Sequence, residues 1–309
     1  MEAVAGESIW TELADGFHDV EMETYLSWRR VSSSVLGECR PDRSDAWVRN
    51  CIAGGNGGEM TAAKLLGSVT HTAVFEPDLL DAQYVVEPEP DPEVYTTDAG
   101  KPSSNPRATK KWKDHIAELE MCGRTVVSAE AFRTALAMRD ALRLHKRARQ
   151  LLDPRAGPCE ATLAVTLDVA GVPVPVKVRP DKLHEAAGIN VQFKTTRNAH
   201  VESFQWDAWK MGHFIGADLY GRALTQAGWP YRKTCFVVVQ NDGFPEVAVY
   251  EPDMGMADAA EQLVAHRLSR IAGCILNGWP GLSQEIEPLT LPHRAWEAIT
   301  QEMNGYGRF

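Results

Sequence analysis

At 309 residues, with 44% hydrophobic and 24% charged residues, the chain has an ordinary globular composition and length enough for one large core or two compact units. No apolar run reaches the roughly 18–20 residues of a membrane helix, and the acidic opening MEAVAGESIWTELADGF lacks the basic start and apolar stretch of a signal peptide, so a cytoplasmic protein without a membrane partner is expected. The formal net charge of −10 excludes non-specific coating of nucleic acid, though not a local basic channel.

In chain order, residues 1–157 read as mainly helical. Serines 32–34 in METYLSWRRVSSSVLGECR suit a helix cap. The glycine-rich CIAGGNGGEM lacks the Lys-Ser/Thr pair of a phosphate-binding loop and reads as a linker. MTAAKLLGSVTHTAVFEP reads as a helix ending before Pro77, with Glu76 at its end. EPEPDPEVYTTDAGKPSSNP reads as an extended loop. SAEAFRTALAMRDALRLHKRARQLL has helical spacing at Phe132, Leu136, Met138, Leu142 and Leu144, with Ser128 as its cap.

From 158 to 309 the pattern becomes α/β. ATLAVTLDVAGVPVPVKVRPDKL reads as two strands joined at Ala170–Gly171, and INVQFKTT as a third. VESFQWDAWKMGHFIGADLYGRALTQAG reads as one long helix stopped at Gly228. KTCFVVVQ and EVAVYEP are further strands, and MADAAEQLVAHRLSRIAGCILNG is a final long helix. Both parts together are expected to form one unit. Cys39, Cys51, Cys122, Cys159, Cys235 and Cys274 show no CxxC spacing and read as buried free thiols rather than a zinc or iron–sulfur site.

Positive charge gathers in NPRATKKWK and RLHKRAR, either as solvated helix faces or as a path for nucleic acid. Asp181 follows a strand and Lys194 sits in the next; in a hairpin the two meet at one end of a sheet. A carboxylate and a lysine so placed suit metal-assisted phosphodiester cleavage: hard oxygens hold the cation, and the ammonium orients water or offsets phosphoryl charge. A surface salt bridge uses the same two residues.

The wider sequence resembles the phage and prophage recombination exonucleases of the exodeoxyribonuclease VIII type, in the PD-(D/E)xK nuclease superfamily. The likeness runs from about Tyr25 to Trp296 through YLSWRRVSSSVL, LLGSVTHTAVFEP, VKVRPDKL, VQFKTT, FQWDAWKMGHFIGADLY and NGWPGLSQEIEPLTLPHRAW. It implies a nuclease core, a central mixed sheet flanked by helices, behind a helical front part. It implies Asp181 as first metal carboxylate, Lys194 as catalytic lysine, His71 in the Gly67–His71 helix as metal ligand, and Glu160 as a recurrent glutamate reaching the metal or standing solvated. Lys110, Lys111, Arg147, Arg179 and Tyr220 are the expected DNA contacts. The implied activity is Mg²⁺- or Mn²⁺-dependent 5′ to 3′ digestion of duplex DNA ends by a homo-oligomer, giving 3′ single strands to an annealing partner protein.

Two positions depart from the family pattern. Gln192 stands where Asp-x-Lys has its acid, and Gly216 stands where Gln-x-x-x-Tyr has its glutamine; Gln205 lies too early in the helix to replace it. An amide oxygen still ligates magnesium but brings no charge. Gln192 is therefore expected as a neutral residue of the metal site. The other reading is a degenerate nuclease fold that binds DNA or protein without cutting; a third, an unrelated α/β binding protein, requires the ordered motifs to be accidental.

Overall fold

The computed structural model describes residues 9–305 apart from 56, 57 and 59. The first eight residues of the expected signal-free start fall outside the described residues, as do Asn56, Gly57 and Glu59 of the glycine-rich linker. The front part holds β1 (Gly16–His18), α1 (Met22–Ser27), α2 (Ser33–Glu38), α3 (Asp45–Ile52), α4 (Ala62–Phe75), α5 (Leu80–Gln83), β2 (Tyr84–Val86), α6 (Lys110–Met121), β3 (Thr125–Val127), α7 (Ala129–Leu144) and α8 (Lys146–Leu151). The second part holds β4 (Thr162–Val169), β5 (Val172–Val178), β6 (Lys182–His184), β7 (Ile189–Thr196), α9 (Val201–Lys210), α10 (His213–Gln226), β8 (Lys233–Gln240), β9 (Val247–Tyr250), α11 (Met254–Asn277) and α12 (His293–Gly305).

Two sheets carry the site. One has the antiparallel order β1-β4-β5; the other is mixed, β6-β7-β8-β9, with β7 parallel to β8. The β4–β5 hairpin turns on Ala170 and Gly171, both at positive φ (53° and 84°), as a tight two-residue turn requires. β8 is buried on both faces, which its unbroken Cys-Phe-Val-Val-Val run allows. Its parallel pairing with β7 demands a crossover, supplied by α9 and α10. The largest core cluster joins Leu36 and Val48 to β4–β5 and to Leu219, Leu224, Val264 and Ile271. A second joins Met138, Leu142 and Leu151 to Val191, Phe193 and Val237. The front part is stitched to the second: β1 pairs with β4, and Val31 bridges Val176.

Several sequence expectations need correction. The helix read across 201–228 is two, broken where Gly212 takes the left-handed φ of 67°. The helix from Ser128 is also two: His145 leaves the helical path, and its Nδ1 accepts the Ala148 N–H to cap α8. That break leaves Leu144 85% exposed rather than in the core. β6 intervenes between Asp181 and β7, so the strand that pairs with β7 there is not β5. α11 is not the last helix, since α12 follows it. The six thiols are free, but Cys122 is exposed and Cys159 half-buried. Among the described residues no helix is long and apolar enough to cross a membrane.

Candidate metal centre and active site

After β5 the chain turns through Arg179-Pro180-Asp181 into β6, which brings Asp181 against the middle of β7. Asp181 Oδ2 accepts the Phe193 N–H at 2.6 Å and lies 3.5 Å from Lys194 Nζ; Oδ1 lies 3.6 Å from His71 Nε2. The hydrogen bond fixes the carboxylate on the strand that carries the lysine.

Glu160 reaches the same point by an uncommon backbone. Its φ is 51°, a conformation that costs a residue with a Cβ about 1–3 kcal/mol. Its N–H donates to the Asp181 carbonyl at 3.2 Å, so the two acids are tied through their main chains. Arg179 Nε donates to Glu160 Oε2 at 2.9 Å, while Arg179 Nη1 donates to the Val20 carbonyl at 2.9 Å and to the Thr162 hydroxyl. Glu160 Oε1 faces His71 Nε2 at 3.0 Å; it is sealed from solvent and, among the described residues, accepts no hydrogen bond of good geometry.

His71 comes from the last two turns of α4, one turn beyond Gly67, which faces β7 where a Cβ would make ordinary contact with Thr195 Oγ1 at 3.6 Å. Its ring leans on Phe75 (4.6 Å between centroids) and Phe193 (6.2 Å). Burial pulls the imidazole pKa down, but hydrogen bonds and charge from Asp181 and Glu160 outweigh that and hold it up at about 10. Burial pushes the Asp181 carboxyl up, while Lys194, His71 and the Phe193 N–H together bring it down to about 2. Without a cation the trio is thus an imidazolium clamped between two carboxylates.

The ligand atoms of His71, Glu160 and Asp181 all lie within 4.8 Å of one another. Two hard oxygens and one imidazole nitrogen suit Mg²⁺ or, with its greater tolerance of nitrogen, Mn²⁺. The sealed Glu160 Oε1 supports that fit: it faces His71 Nε2 at 3.0 Å without good hydrogen-bond geometry, so a cation between the two would satisfy it better than the imidazolium does.

Lys194 projects to the other side of β7, among neighbours far from it in sequence. His213, at the start of α10, feels the charges of Lys194, Asp207 and Asp181; burial and then Lys194 hold its pKa down at about 3. Asp207 Oδ2 accepts the Thr196 hydroxyl at 2.5 Å, which anchors α9 to the end of β7.

Gln192 shares the Lys194 face of β7 but turns to α10. A Cβ on Gly216 would stand 3.6 Å from both its amide atoms, and its Nε2 is buried with no partner among the described residues. The two departures from the family pattern are therefore one place in space: the amide on the strand lies where the helix has no side chain. Tyr220, one turn on, is enclosed beside Ser33, with its phenol pKa raised by burial and then by Asp181.

The expected DNA contacts are placed apart. Arg179 is 11% exposed at its side chain and holds Glu160, a positioning role the sequence did not signal. Lys110 is exposed on α6, and Lys111 Nζ donates to Thr96 Oγ1 at 2.8 Å. Arg147, exposed on α8, lines a depression with Ile189, the first residue of β7. That is about 17 Å along the strand from Lys194.

No curated protein matches the sequence. A crystal structure named "Putative exonuclease", from Eubacterium rectale, shares the fold with a TM-score of 0.52 at 13% identity, over 91% of this chain and 99% of that one. The structure of SSO0001 gives a TM-score of 0.28 at 17% identity, over 53% of this chain and 72% of that one, too slight to argue from. The sequence profile of the family described as "PDDEXK-like domain of unknown function (DUF3799)" matches residues 42–291, a span that encloses His71, Glu160, Asp181, Gln192 and Lys194. With the mixed sheet, the clustered acids and that profile in agreement, this chain is a member of the PDDEXK-like family.

Proposed function

We propose that the chain is a metal-dependent deoxyribonuclease that digests duplex DNA from 5′ ends, leaving 3′ single strands for a partner annealing protein. The observation that carries the nuclease reading is the meeting of His71, Glu160 and Asp181 within 4.8 Å, with Lys194 Nζ 3.5 Å from Asp181. The exonuclease reading draws on the ordered motifs of the sequence and on the name given to the Eubacterium rectale protein. A homo-oligomer around the DNA belongs to the same reading.

His71, Glu160 and Asp181 would hold the cation. When bound, a divalent ion lowers the pKa of attacking water and draws charge from the phosphoryl oxygens. Arg179 keeps Glu160 aimed at the site through Oε2 while Oε1 faces His71. Lys194 holds its ammonium at the rim, 24% exposed, placed to orient water or to meet charge developing on the phosphate. Glu160 restores the second negative charge that Gln192 does not bring. Binding at His71 displaces its proton, so the site is better filled as pH rises.

One observation favours the degenerate reading: Gln192 is folded against Gly216, leaving β7 with no acid at the position before Phe193. A cleavage assay separates the two. Linear duplex labelled at the 5′ or 3′ end, nicked circular duplex and covalently closed circular duplex are incubated with Mg²⁺ or Mn²⁺. The proposal expects mononucleotide release from 5′ ends. Cleavage of closed circles would make the enzyme an endonuclease, and no cleavage with either metal would leave the degenerate fold.

A further inference from the structure

The chain beyond α11 stands away from the body. Gly278 ends the helix at a φ of 91°, and the Pro280 carbonyl accepts the Ala46 N–H at 2.9 Å. After that tie every residue from 281 to 304 except Ala295 is exposed. Among the described residues, the side-chain hydrogen bonds and the ion pair of this arm join its own members, as Ser283 to Glu285 and His293 to Glu297. Yet the arm is rich in apolar side chains. Leu282 is 85% exposed, Ile286 and Leu289 wholly so, and α12 adds Trp296, Ile299 and Met303. At 3.6 residues per turn these last three fall within about 60° of one another, an apolar stripe along one side. A helix of 13 residues is marginal in water without a surface to pack on.

The same molecule carries an apolar groove of about 380 Å³ between α9, α10, β9 and the start of α11. Its floor is Phe204, Phe214, Tyr250 and Met256, and the exposed Val201 and Trp209 stand at its mouth. Trp209 is stacked on Phe214, with ring centroids 5.7 Å apart and planes at 11°, and still leaves 62% of itself in solvent. The two acids at the mouth are already engaged: Glu251 Oε2 accepts Lys233 Nζ at 2.6 Å, and Asp253 Oδ1 accepts the Met256 N–H at 2.7 Å. What the groove offers is apolar contact, the kind an amphipathic helix takes with its apolar stripe.

Three observations choose the partner. The groove and the root of the arm lie at opposite ends of α11, about 33 Å apart from Met256 to Gly278, so the chain's own arm starts far from its own groove. Between 281 and 305 the arm carries Glu285, Glu287, Glu297 and Glu302 against Arg294, a charge that repels DNA phosphates and anionic lipid. Its length matches the roughly 20–30 residues that one side of a stable protein interface holds. We propose that residues 281–305 of one copy dock on a second copy of this chain, with the Trp296 stripe of α12 in the groove under Trp209. Arm and groove are different patches, so the contact is head-to-tail. The proposal rests on the homo-oligomer of the proposed function and names its interface; it uses nothing of the metal site.

The test is sedimentation of the full chain in chelator across a concentration series, with Trp296→Asp in the arm and Trp209→Asp in the groove. Wild type should self-associate, and each variant should weaken association at least about 30-fold, the scale of a buried aromatic anchor. Val201→Asp, at the same mouth, should act as Trp209→Asp does, and circular dichroism checks that all three variants keep the fold. A head-to-tail contact makes a sharper prediction. An equimolar mixture of Trp296→Asp and Trp209→Asp should regain association and stop at pairs, because the intact arm of one meets the intact groove of the other. A wild type that stays monomeric, leaving the arm to its own groove or to another protein, would overturn the proposal. So would variants that associate as wild type does, or a mixture that does not pair. Duplex cleavage with Mn²⁺, run in parallel, judges the nuclease reading separately. A monomer that cleaves rejects only the docked arm; pairing in the mixture without cleavage by wild type keeps the arm and rejects the nuclease.

Discussion

Strand β7 stands between two half-buried histidines whose protonation diverges. His71 on the α4 side is held up at about 10, and His213 on the α10 side is held down at about 3. Burial lowers both. What separates them is company: His71 meets Asp181 and Glu160, while His213 meets the ammonium of Lys194. The difference divides the labour of the site. The α4 side is an anionic cage closed by a proton that a metal ion can displace, and the α10 side holds an imidazole kept neutral by burial and by Lys194, against the opposing charges of Asp207 and Asp181.

If that division holds, the largest effects come from the two residues that bridge it. Asp181→Asn and Lys194→Ala should each lower the cleavage rate by at least about 100- to 1000-fold, the scale of losing one group that stabilises developing charge. Circular dichroism should show an unchanged fold, since both side chains are partly exposed. Full activity in either variant would break the assignment.

Next comes the arm that holds the cage. Arg179→Lys keeps the charge but not the fork that spans Glu160, Val20 and Thr162. Metal affinity should fall about 10- to 100-fold, as for other losses of a group that orients a ligand, with duplex DNA binding in chelator unchanged. A fall in DNA binding with no change in metal affinity would return Arg179 to the nucleic-acid contact expected from the sequence.

The histidines also give opposite pH signatures in the metal-free protein. The raised pKa of His71 means the folded state keeps a proton the unfolded chain releases. That contribution is complete below about 6.5 and is lost as pH rises through about 10. The lowered pKa of His213 means the unfolded chain takes a proton the folded state refuses, so stability falls as pH drops from about 6.5 toward 3. The Asp181 contribution is complete above 3.8 and is lost as pH falls through about 2. Denaturant midpoints across pH should therefore lose their alkaline limb in His71→Gln and much of their acid limb in His213→Gln. Identical curves for both variants would contradict the division.

The smallest effect expected is at Gly216. A Cβ there stands in ordinary contact with Gln192 and Ser33. Gly216→Ala should stabilise α10 by about 0.5–1 kcal/mol, the helix advantage of alanine over glycine, and leave metal affinity alone. At Gly221, by contrast, a Cβ would stand 2.7 Å from the Tyr231 ring, and the same change should destabilise. A loss of metal affinity in Gly216→Ala would show that the buried amide of Gln192 has a stake in the cage.

Much of this was legible in the sequence because it rests on local patterns. β7 and β8 are continuous β-branched and aromatic runs, the β4–β5 turn needed positive φ at Ala170 and Gly171, and His71 sits four residues after Gly67 on a regular amphipathic helix. β6 was hidden because it is three residues long and begins with Lys182, a lysine fully buried by donating to the Pro154 and Gly157 carbonyls. The break between α9 and α10 was hidden because one glycine within helical periodicity costs only about 1 kcal/mol and leaves the pattern intact. The inward turn of Arg179 depends on contacts with Val20 and Thr162, far away in sequence, and nothing in RPD distinguishes an arginine that holds Glu160 from one that holds DNA.

The most direct test of the central claim is calorimetric titration of the chelator-stripped chain with Mn²⁺ at neutral pH, repeated in two buffers of different ionisation enthalpy. The cage predicts one ion per chain, release of about one proton from His71 on binding, tighter binding as pH rises, and loss of the signal in Glu160→Gln and Asp181→Asn. No binding by the wild-type chain at millimolar Mn²⁺, or binding unchanged in both variants, would contradict it.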